Sequence, residues 1–308
     1  METSLLWIGL IVLILIFLII DLGVFNRIPH VISAKEALKT SLCWVGLSLL
    51  FNLFVWYDKG PEPAVAFFTG YLLEKLLSLD NMFIFLVIFN TFGIAPRHHH
   101  RILFWGILGA IVFRLIFILL GLKLIETFSW IFYLFGAALI YSAYKIYQQK
   151  GKPIDIENNR IVQLVKKWFH FQENYKGRRF FLKIKGKWVA TPGFLVLVII
   201  EVCDIIFAID SIPAIFAITL DPFIVFTSNI FAVLGLRALY FLLADIIPRF
   251  YYLQHAISII LGFIGIKLIL ANHFEIPLIF SLSFMGLTFF IAIVASYCKD
   301  KYISEDTH

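Results

Sequence analysis

The run from Phe194 to Ile218 is almost wholly apolar, yet it contains three carboxylates, Glu201, Asp204 and Asp210. About 20 consecutive apolar residues are enough for a helix to cross the hydrocarbon core of a membrane. A charge at the centre of such a helix costs about 2.5 to 3.5 kcal/mol on insertion scales, and intramembrane acids are usually functional. We therefore expect this run to be a membrane helix that carries a polar site.

A second acidic segment, 71–89, repeats this spacing. In each segment two acids lie six positions apart, and a small polar residue follows the second acid. The first copy consists of Glu74, Asp80 and Asn81, and the second copy consists of Asp204, Asp210 and Ser211. We interpret the two segments as two copies of one site-bearing helix.

The other apolar runs indicate that the whole chain is a polytopic membrane protein. Of its 308 residues, 61% are hydrophobic and 15% are charged, against about 45 to 50% and about 25% in soluble domains. The runs do not alternate as membrane strands do. We predict an all-α membrane protein with about nine transmembrane helices, since each needs about 20 residues. The predicted spans are 5–20, 42–57, 64–92, 102–122, 128–147, 194–218, 223–243, 251–271 and 277–297.

The distribution of basic residues predicts the side of the membrane on which each loop lies. The loop from Lys150 to Lys187 has eleven Lys or Arg and three acids, which accounts for the whole net charge of +6. Cytoplasmic loops are enriched in Lys and Arg, and alternate connections between the predicted spans follow this rule. We expect the N-terminus outside and the C-terminus inside. Because the excess charge lies in a membrane loop, we do not expect nucleic-acid binding.

Each acidic helix begins a unit of three predicted spans. An odd number of spans gives the two units opposite orientations, as in transporters built from inverted repeats with a site near the midplane. Arg114 matches Arg237 in the second spans, and Lys145 matches Lys267 in the third. We predict one membrane domain over 1–308. It consists of two peripheral helices (1–62), repeat one (63–147), a basic cytoplasmic loop (148–190), repeat two (191–272) and a last helix with a cytoplasmic tail (273–308).

Three local patterns refine this outline. Pro213 follows Asp210 by three residues, and a proline opens the hydrogen-bond ladder of a helix. We expect breaks near the acids that bring both acids of a copy into one cavity. Within the basic loop, Ile161 to Phe171 predicts an interfacial amphipathic helix. Phe180 to Thr191 predicts a small hairpin that turns at Gly186.

The acids, the neighbouring small polar side chains and backbone carbonyls form a set of oxygen ligands. Hard divalent cations such as Mn²⁺, Mg²⁺ and Ca²⁺ prefer oxygen ligands, whereas zinc and copper favour imidazole or thiolate. We predict a metal site made of Glu74, Asp80, Asn81, Glu201, Asp204, Asp210 and Ser211. In the alternative interpretation, the acids only hold the bundle together by pairing with Lys75, Arg114, Arg237, Lys145 and Lys267.

Other reactive side chains fit a site less well. The three cysteines lie in separate apolar runs without the spacing of a metal knuckle or a disulfide framework. Only Cys203, beside Asp204, is a candidate soft ligand. We expect His98, His99 and His100 to form a cytoplasmic interfacial turn, with a proton relay as the alternative. The signatures of metalloproteases, serine hydrolases and P-loop proteins are absent, so we do not expect an enzyme.

Three stretches are distinctive as whole motifs. They are FNLFVWYDKGPEPAVAFFTGYLLEKLLSLDNMFIF at 51–85, ATPGFLVLVIIEVCDIIFAIDSIPAIFAIT at 190–219 and SNIFAVLGLRALYFLL at 228–243. They resemble the TerC family of integral membrane proteins, which includes Alx-type manganese exporters and belongs with the LysE-like transporters. The resemblance implies a multi-span exporter whose acidic motifs line a central metal site. It also implies roles in Mn²⁺ efflux, metal homeostasis and, by the family name, tellurium resistance.

From these features we expect a secondary transporter that exports Mn²⁺ by alternating access, driven by entry of H⁺ or Na⁺. One alternative is a Ca²⁺ exchanger. Another is a membrane scaffold for metal or tellurite stress, in which the basic loop is the working part. The expected partners are the divalent ion as substrate, the lipid bilayer and proteins at the cytoplasmic loop, with no cofactor. We expect a multi-pass protein of a bacterial inner membrane.

Overall fold

The computed structural model describes residues 7–14, 16, 34–128, 130–148, 163, 179–184, 187–243, 251–271, 273–274 and 276–305. Residues 7–14 form a helical segment. The longer helices are α1 (Ala34–Lys59), α2 (Pro61–Thr91), α3 (Pro96–Thr127), α4 (Ile131–Gln148), α5 (Pro192–Phe216), α6 (Pro222–Leu234), α7 (Leu236–Leu243), α8 (Leu253–Leu270) and α9 (Leu278–Glu305). Two strands, β1 (Phe181–Ile184) and β2 (Lys187–Ala190), pair antiparallel.

Six segments of the described chain are long and apolar enough to span a membrane. They are Lys35–Lys59, Pro96–Thr127, Pro192–Phe216, Pro222–Leu242, Leu253–Leu270 and Leu278–Lys299. The prediction of an all-α membrane protein is confirmed. Two more predicted spans, 64–92 and 128–147, are the helices α2 and α4, but they do not meet this criterion of length and composition. The predicted span 5–20 lies largely outside the described residues.

Proline and polar caps define where several helices begin. A proline in the first turn has no N–H that the helix would need, so it marks the start without cost. The helices α2, α3, α5 and α6 begin at Pro61, Pro96, Pro192 and Pro222. Asp221 also caps α6, because its carboxylate accepts hydrogen bonds from the backbone N–H groups of Phe223 and Ile224 at 2.8 and 3.3 Å.

Helices of the first predicted repeat pack on helices of the second. The helix α2 contacts α6, α3 contacts α5, and α4 lies along α8. Gly136 and Gly265 allow the last of these contacts, because a Cβ on Gly136 would lie 2.7 Å from the carbonyl oxygen of Gly265. Nearly every residue of α6 is buried among its neighbours, whereas α1 and α9 expose most of their surface. The core is therefore built around α6.

Loops that were predicted to lie on one side of the membrane do lie near each other. Lys59 forms a salt bridge with Asp221 at 2.9 Å, and both belong to predicted outer loops. The guanidinium of Arg101 lies 4.5 Å from the ring centre of Phe180, and both belong to predicted inner loops. The grouping of the loops agrees with the predicted alternation of spans.

The predicted breaks near the acids are wrong. The helix α2 continues through Glu74 and Asp80, and α5 continues through Pro213 to Phe216. Only three helical residues follow this proline, and all three are buried, so packing holds the last turn in place. The chain breaks instead at Gly235, between α6 and α7.

The hairpin predicted in the basic loop is confirmed. Phe181 pairs with Ala190 at one end of the two strands, and Ile184 pairs with Lys187 at the other. Its turn at Gly186 lies outside the described residues, as does almost all of the amphipathic helix predicted over 161–171.

Candidate functional site

A buried ion pair of the first predicted repeat is bridged by an asparagine of the second. Glu74 on α2 forms a salt bridge with Arg114 on α3, and both side chains are 1% exposed. Asn229 on α6 contacts both partners. Arg114 Nη1 donates to Asn229 Oδ1 at 2.8 Å, and Asn229 Nδ2 donates to Glu74 Oε2 at 3.3 Å. A charged side chain that is buried away from water needs an oppositely charged partner. The alternative interpretation, in which the acids pair with basic residues of the bundle, is therefore correct for Glu74.

The acids of α5 extend this charged group. Glu201 and Asp204 are three residues apart and so lie on one side of the helix, where they interact electrostatically with each other. Asp204 also interacts with Arg114 and with Glu74. Within the described residues, Nε and Nη2 of Arg114 have no hydrogen-bond partner. Glu74 and Asp204 therefore share the field of one fully buried guanidinium, and Glu201 interacts with Asp204.

Glu201 occupies space that a glycine leaves open on α3. A Cβ on Gly109 would overlap the carboxylate of Glu201 in its present position, so this carboxylate occupies space that the glycine leaves open. Oε2 of Glu201 is buried and has no hydrogen-bond partner in the part of the chain that the structure describes. An unpaired buried carboxylate oxygen is costly. Its chemistry therefore favours a bound proton or a bound cation.

Asp204 lines an internal cavity of about 20 Å³ between α2, α3, α5 and the α6–α7 break. This volume holds about one water-sized sphere. Most of the wall is apolar, with Met82, Phe85 and Ile107 among its members. The polar side chains on the wall are Asp204, Arg237 and Tyr240.

In the predicted alignment of the two repeats, the cavity corresponds to a position that the side chain of Asn229 fills. When Arg114 is aligned with Arg237, Asn229 aligns with Gly106. The amide of Asn229 bridges Glu74 and Arg114. Gly106 has no side chain and lies on the cavity wall beside Asp204 and Arg237. An acid and an arginine thus occur in both places; in the described chain an amide fills the first place, and a cavity lies at the second.

Asp210 lies apart from this group. It accepts a hydrogen bond from Ser142 Oγ of α4 at 2.7 Å and interacts electrostatically with Lys145. Six residues along a helix amount to a rotation of about 240°, so Asp204 and Asp210 lie on different sides of the unbroken α5. The structure does not bring these two predicted ligands together.

The small polar residues of the motifs are buried. Asn81 follows Glu74 by seven positions and Ser211 follows Asp204 by seven, so each shares a helix face with its acid. Ser211 is 2% exposed, and its hydroxyl has no hydrogen-bond partner among the described residues. The side chain of Asp80 lies outside the described part of the chain.

No three His, Cys, Asp or Glu side chains among the described residues lie close enough together to hold a metal ion. Of the predicted acidic ligands whose side chains are described, Glu74 and Asp204 interact with Arg114, Glu201 interacts with Asp204, and Asp210 lies apart. Sequence reasoning missed Gly106, Gly109, Asn229 and Tyr240. The alignment of the second spans could have indicated the first and third of these.

The chain matches the description "Integral membrane protein TerC family" over residues 59–302, which contain every residue of the predicted metal site. This chain belongs to the TerC family. It is therefore an integral membrane protein, and the resemblance of its three motifs is confirmed. The TerC match also covers the whole of α2 through α8, so the buried ion pair and the cavity both lie in the family's part of the chain.

Several bacterial proteins are similar to this chain over nearly its whole length. A Myxococcus xanthus protein named "Uncharacterized membrane protein STKORF319" is 44% identical over 96% of this chain and 93% of its own. The Escherichia coli K12 protein, whose name describes a membrane-bound redox modulator, Alx, is 43% identical over 97% of both chains. A Rickettsia bellii membrane protein is 40% identical over 96% of this chain and 98% of its own. No solved structure matches this chain.

Proposed function

We propose that this TerC-family protein is a secondary transporter that exports divalent metal ions, foremost Mn²⁺, from the cytoplasm. The observation that carries the proposal is the internal cavity beside Asp204, with the unpaired carboxylate oxygen of Glu201 on the same helix side. Carboxylates inside a membrane bundle mark ion pathways. An oxygen-only set suits Mn²⁺ and other hard cations better than zinc or copper.

The carboxylates of Asp204 and Glu201 near Arg114 can bind a cation. With Glu74, Glu201 and Asp204 ionised, three buried carboxylates face three buried cations, Lys75, Arg114 and Arg237, but Oε2 of Glu201 has no hydrogen-bond partner in the described chain. A divalent ion beside Asp204 and Glu201 would give this oxygen a partner. Burial favours the neutral form of a carboxylate, so protons can take the place of the ion after it leaves. Exchange for H⁺ follows from this chemistry, and Na⁺ is the alternative coupling ion.

The contacts between the repeats support alternating access. The first helix of each repeat contacts the second helix of the other, as α2 contacts α6 and α5 contacts α3. Such a reciprocal pattern is what two inverted units related by a two-fold axis produce. In this mechanism the two units rock around the acids, and the remaining predicted ligands, Asp80 and Asp210, join the ion in the state that faces the other side.

Two alternatives remain from the sequence. A Ca²⁺ exchanger would use the same oxygen ligands, since Mn²⁺ and Ca²⁺ differ mainly in the cavity size and ligand number that they require. A scaffold for metal or tellurite stress would depend on the basic loop 148–190 rather than on the acids. Each alternative predicts a different result from Mn²⁺ export in the flux experiment described next.

The experiment is metal flux into inside-out proteoliposomes of the purified protein, with Mn²⁺ and Ca²⁺ compared under H⁺ and Na⁺ gradients. We expect saturable Mn²⁺ uptake that Asp204→Asn, Asp80→Asn and Asp210→Asn each reduce at least ten-fold. Glu62→Gln is the matched control, because Glu62 is an exposed acid in the first turn of α2. Its flux should equal that of the wild type.

Each alternative has its own outcome. Faster Ca²⁺ than Mn²⁺ flux would indicate the exchanger. No flux of either ion by correctly folded protein would overturn the transport proposal and favour the scaffold. Loss of flux in Asp204→Asn but not in Asp210→Asn would restrict the site to the group around Arg114.

A further inference from the structure

The hairpin of β1 and β2 is attached to the predicted inner ends of two membrane helices. The backbone N–H of Thr191, which caps α5, donates a hydrogen bond to the carbonyl oxygen of Phe180 at 3.0 Å. The ring of Phe181 packs against that of Phe194 in the first turn of α5, with a centroid separation of 4.4 Å. The guanidinium of Arg101 in α3 lies over the ring of Phe180. These contacts hold the base of the hairpin against the start of α5.

One face of the hairpin exposes two aromatic rings and an ammonium group. Successive side chains of a strand alternate between its faces, and directly paired residues share a face. Phe181 and Lys183 therefore share a face with Trp188, which pairs with Lys183. Trp188 is 71% exposed, Phe181 is 40% exposed and Lys183 is exposed as well, whereas Leu182 and Val189 on the opposite face are partly buried. We call Phe181, Lys183 and Trp188 the exposed hairpin face.

The exposed hairpin face lies close to the level where the membrane meets water. Pro192 is the first residue of α5, which is long and apolar enough to span a membrane. Trp188 precedes it by four residues, and four residues of chain reach at most about 14 Å. Because Phe181 at the base packs on Phe194, the face is turned toward the start of this span. Tryptophan is enriched at this level of a membrane, since its ring is apolar and its N–H is polar.

The stretches around the exposed hairpin face are strongly basic. The contact between Arg101 and Phe180 brings together the stretches 96–101 and 179–190. Together they contain six Lys or Arg and no Asp or Glu. Basic side chains beside a membrane are attracted by anionic lipids, and the attraction falls off within a Debye length of the surface. The charge and the rings of this face therefore match an anionic lipid surface.

The histidine turn predicted at this end of the molecule lies partly in the interior. His99 is 6% exposed. Its Nδ1 is 3.1 Å from the hydroxyl of Tyr240, and its Nε2 is 2.8 Å from the main-chain carbonyl oxygen of Ile94. His99 therefore belongs to the packing beneath the surface, while Arg97 and Arg101 supply the charge at the start of α3.

We propose that the exposed hairpin face docks on anionic phospholipid headgroups of the leaflet on the predicted inner side. Lys183 binds the phosphate of a headgroup, and the rings of Trp188 and Phe181 insert between neighbouring headgroups. An acidic protein could meet the same charges, but the observations favour lipid, because the face begins on Phe194 of a membrane span. Docking of this kind does not depend on the proposed transport function.

The test measures how deeply a spin label at Trp188→Cys lies in the membrane, in protein whose three native cysteines are alanine. The protein is placed in nanodiscs of phosphatidylcholine with and without phosphatidylglycerol. The ratio of label collisions with oxygen, which dissolves in lipid, to those with a water-soluble nickel chelate reports depth. Leu287→Cys on α9 gives the ratio of a lipid-facing label, since Leu287 is 61% exposed. Lys183→Glu reverses the charge of the face, and Lys123→Glu, at an exposed lysine near the other end of α3, is the matched control.

We expect phosphatidylglycerol to raise the depth ratio at Trp188→Cys at least three-fold. Lys183→Glu should abolish this rise, and Lys123→Glu should leave it unchanged. A low ratio in both lipids would overturn the docking. A ratio like that of Leu287→Cys in both lipids, or equal effects of the two charge reversals, would overturn the recognition of anionic headgroups.

A label that neither reagent reaches would show that protein covers the exposed hairpin face, which would also overturn the proposal. The midpoint of thermal unfolding in detergent verifies that each variant is folded, and all the substituted side chains are exposed. None of these measurements involves metal flux, so their failure is distinct from a failure of the proposed transport.

Discussion

Lys75 donates a hydrogen bond from Nζ to the main-chain carbonyl of Ala232 at 2.8 Å. In an unbroken helix this carbonyl would accept the N–H of the residue four positions later, but the chain breaks at Gly235. The ammonium group therefore replaces a backbone donor. Gly235 keeps the space for it, because a Cβ there would lie 2.7 Å from Nζ of Lys75.

Replacement of Lys75 by methionine should destabilise the protein. Loss of the donor leaves a buried carbonyl unpaired, which costs about 1 to 3 kcal/mol. The free energy of unfolding in detergent is the measurement. Lys123→Met is the control, since Lys123 is exposed on α3 and should tolerate the change. Equal stability of the two variants would show that water or another donor satisfies Ala232.

Substitution of Gly109 by alanine should impair metal binding. The added Cβ would overlap the carboxylate of Glu201 and push it off its position beside Asp204. We expect at least a ten-fold loss of Mn²⁺ affinity, measured by equilibrium binding. Gly46→Ala is the matched control, because a Cβ at Gly46 meets no atom within 4 Å. Wild-type affinity in Gly109→Ala would exclude Glu201 from the site.

Filling the cavity should also reduce metal binding. Gly106→Asn gives α3 the amide that Asn229 supplies in the aligned position of α6. This amide would occupy the space beside Asp204, so Mn²⁺ affinity should fall at least ten-fold. Gly106→Ala adds one carbon that approaches Ile200 at 3.2 Å, and it should have a smaller effect. A larger effect of alanine than of asparagine would contradict the occupation of the cavity by the ion.

The ion pair of Glu74 and Arg114 should show strong coupling in a double-mutant cycle. Arg114→Gln leaves the carboxylate buried without its partner, which costs about 3 to 5 kcal/mol. Glu74→Gln combined with Arg114→Gln removes both charges, so it should recover much of this loss. The midpoint of thermal unfolding in detergent measures each step. If the double variant is as unstable as the sum of the single variants, the pair does not act as a unit.

Removal of all three cysteines separates metal transport from thiol chemistry. Cys43, Cys203 and Cys298 are all free thiols. Their joint replacement by alanine should leave Mn²⁺ flux within two-fold of the wild type, because the proposed ligands are oxygen atoms. The name of the E. coli relative describes a redox modulator. Loss of flux in the cysteine-free protein, with normal folding, would favour a thiol-dependent role for this chain.

The sequence was sufficient for the features that depend on local composition. Apolar runs predicted the membrane helices, and the stretch around Gly186 predicted the hairpin. The features that depend on tertiary register were not predictable. Neither the approach of Glu201 to Gly109 nor the break at Gly235 has a signal of its own, since glycines are common in membrane helices.

The prediction that Asp204 and Asp210 lie in one cavity was wrong for the site. It required breaks in α2 and α5, but packing keeps both helices continuous. Asp204 therefore belongs to the group around Arg114, while Asp210 binds Ser142 of α4. Six-residue spacing indicates two environments on one helix rather than one shared cage.

The burial of α6 has a consequence for how the protein is made. Every residue from Phe223 to Leu234 is buried, and the amide of Asn229 binds Arg114 and Glu74, partners that lipid tails cannot replace. Apart from α7, the helices that contact it, α1, α2 and α3, all precede it in the chain. When α6 is synthesised, the helices that Asn229 and its neighbours pack against have therefore already been made. The order of the helices along the chain therefore allows α6 to pack against its partners as soon as it enters the membrane.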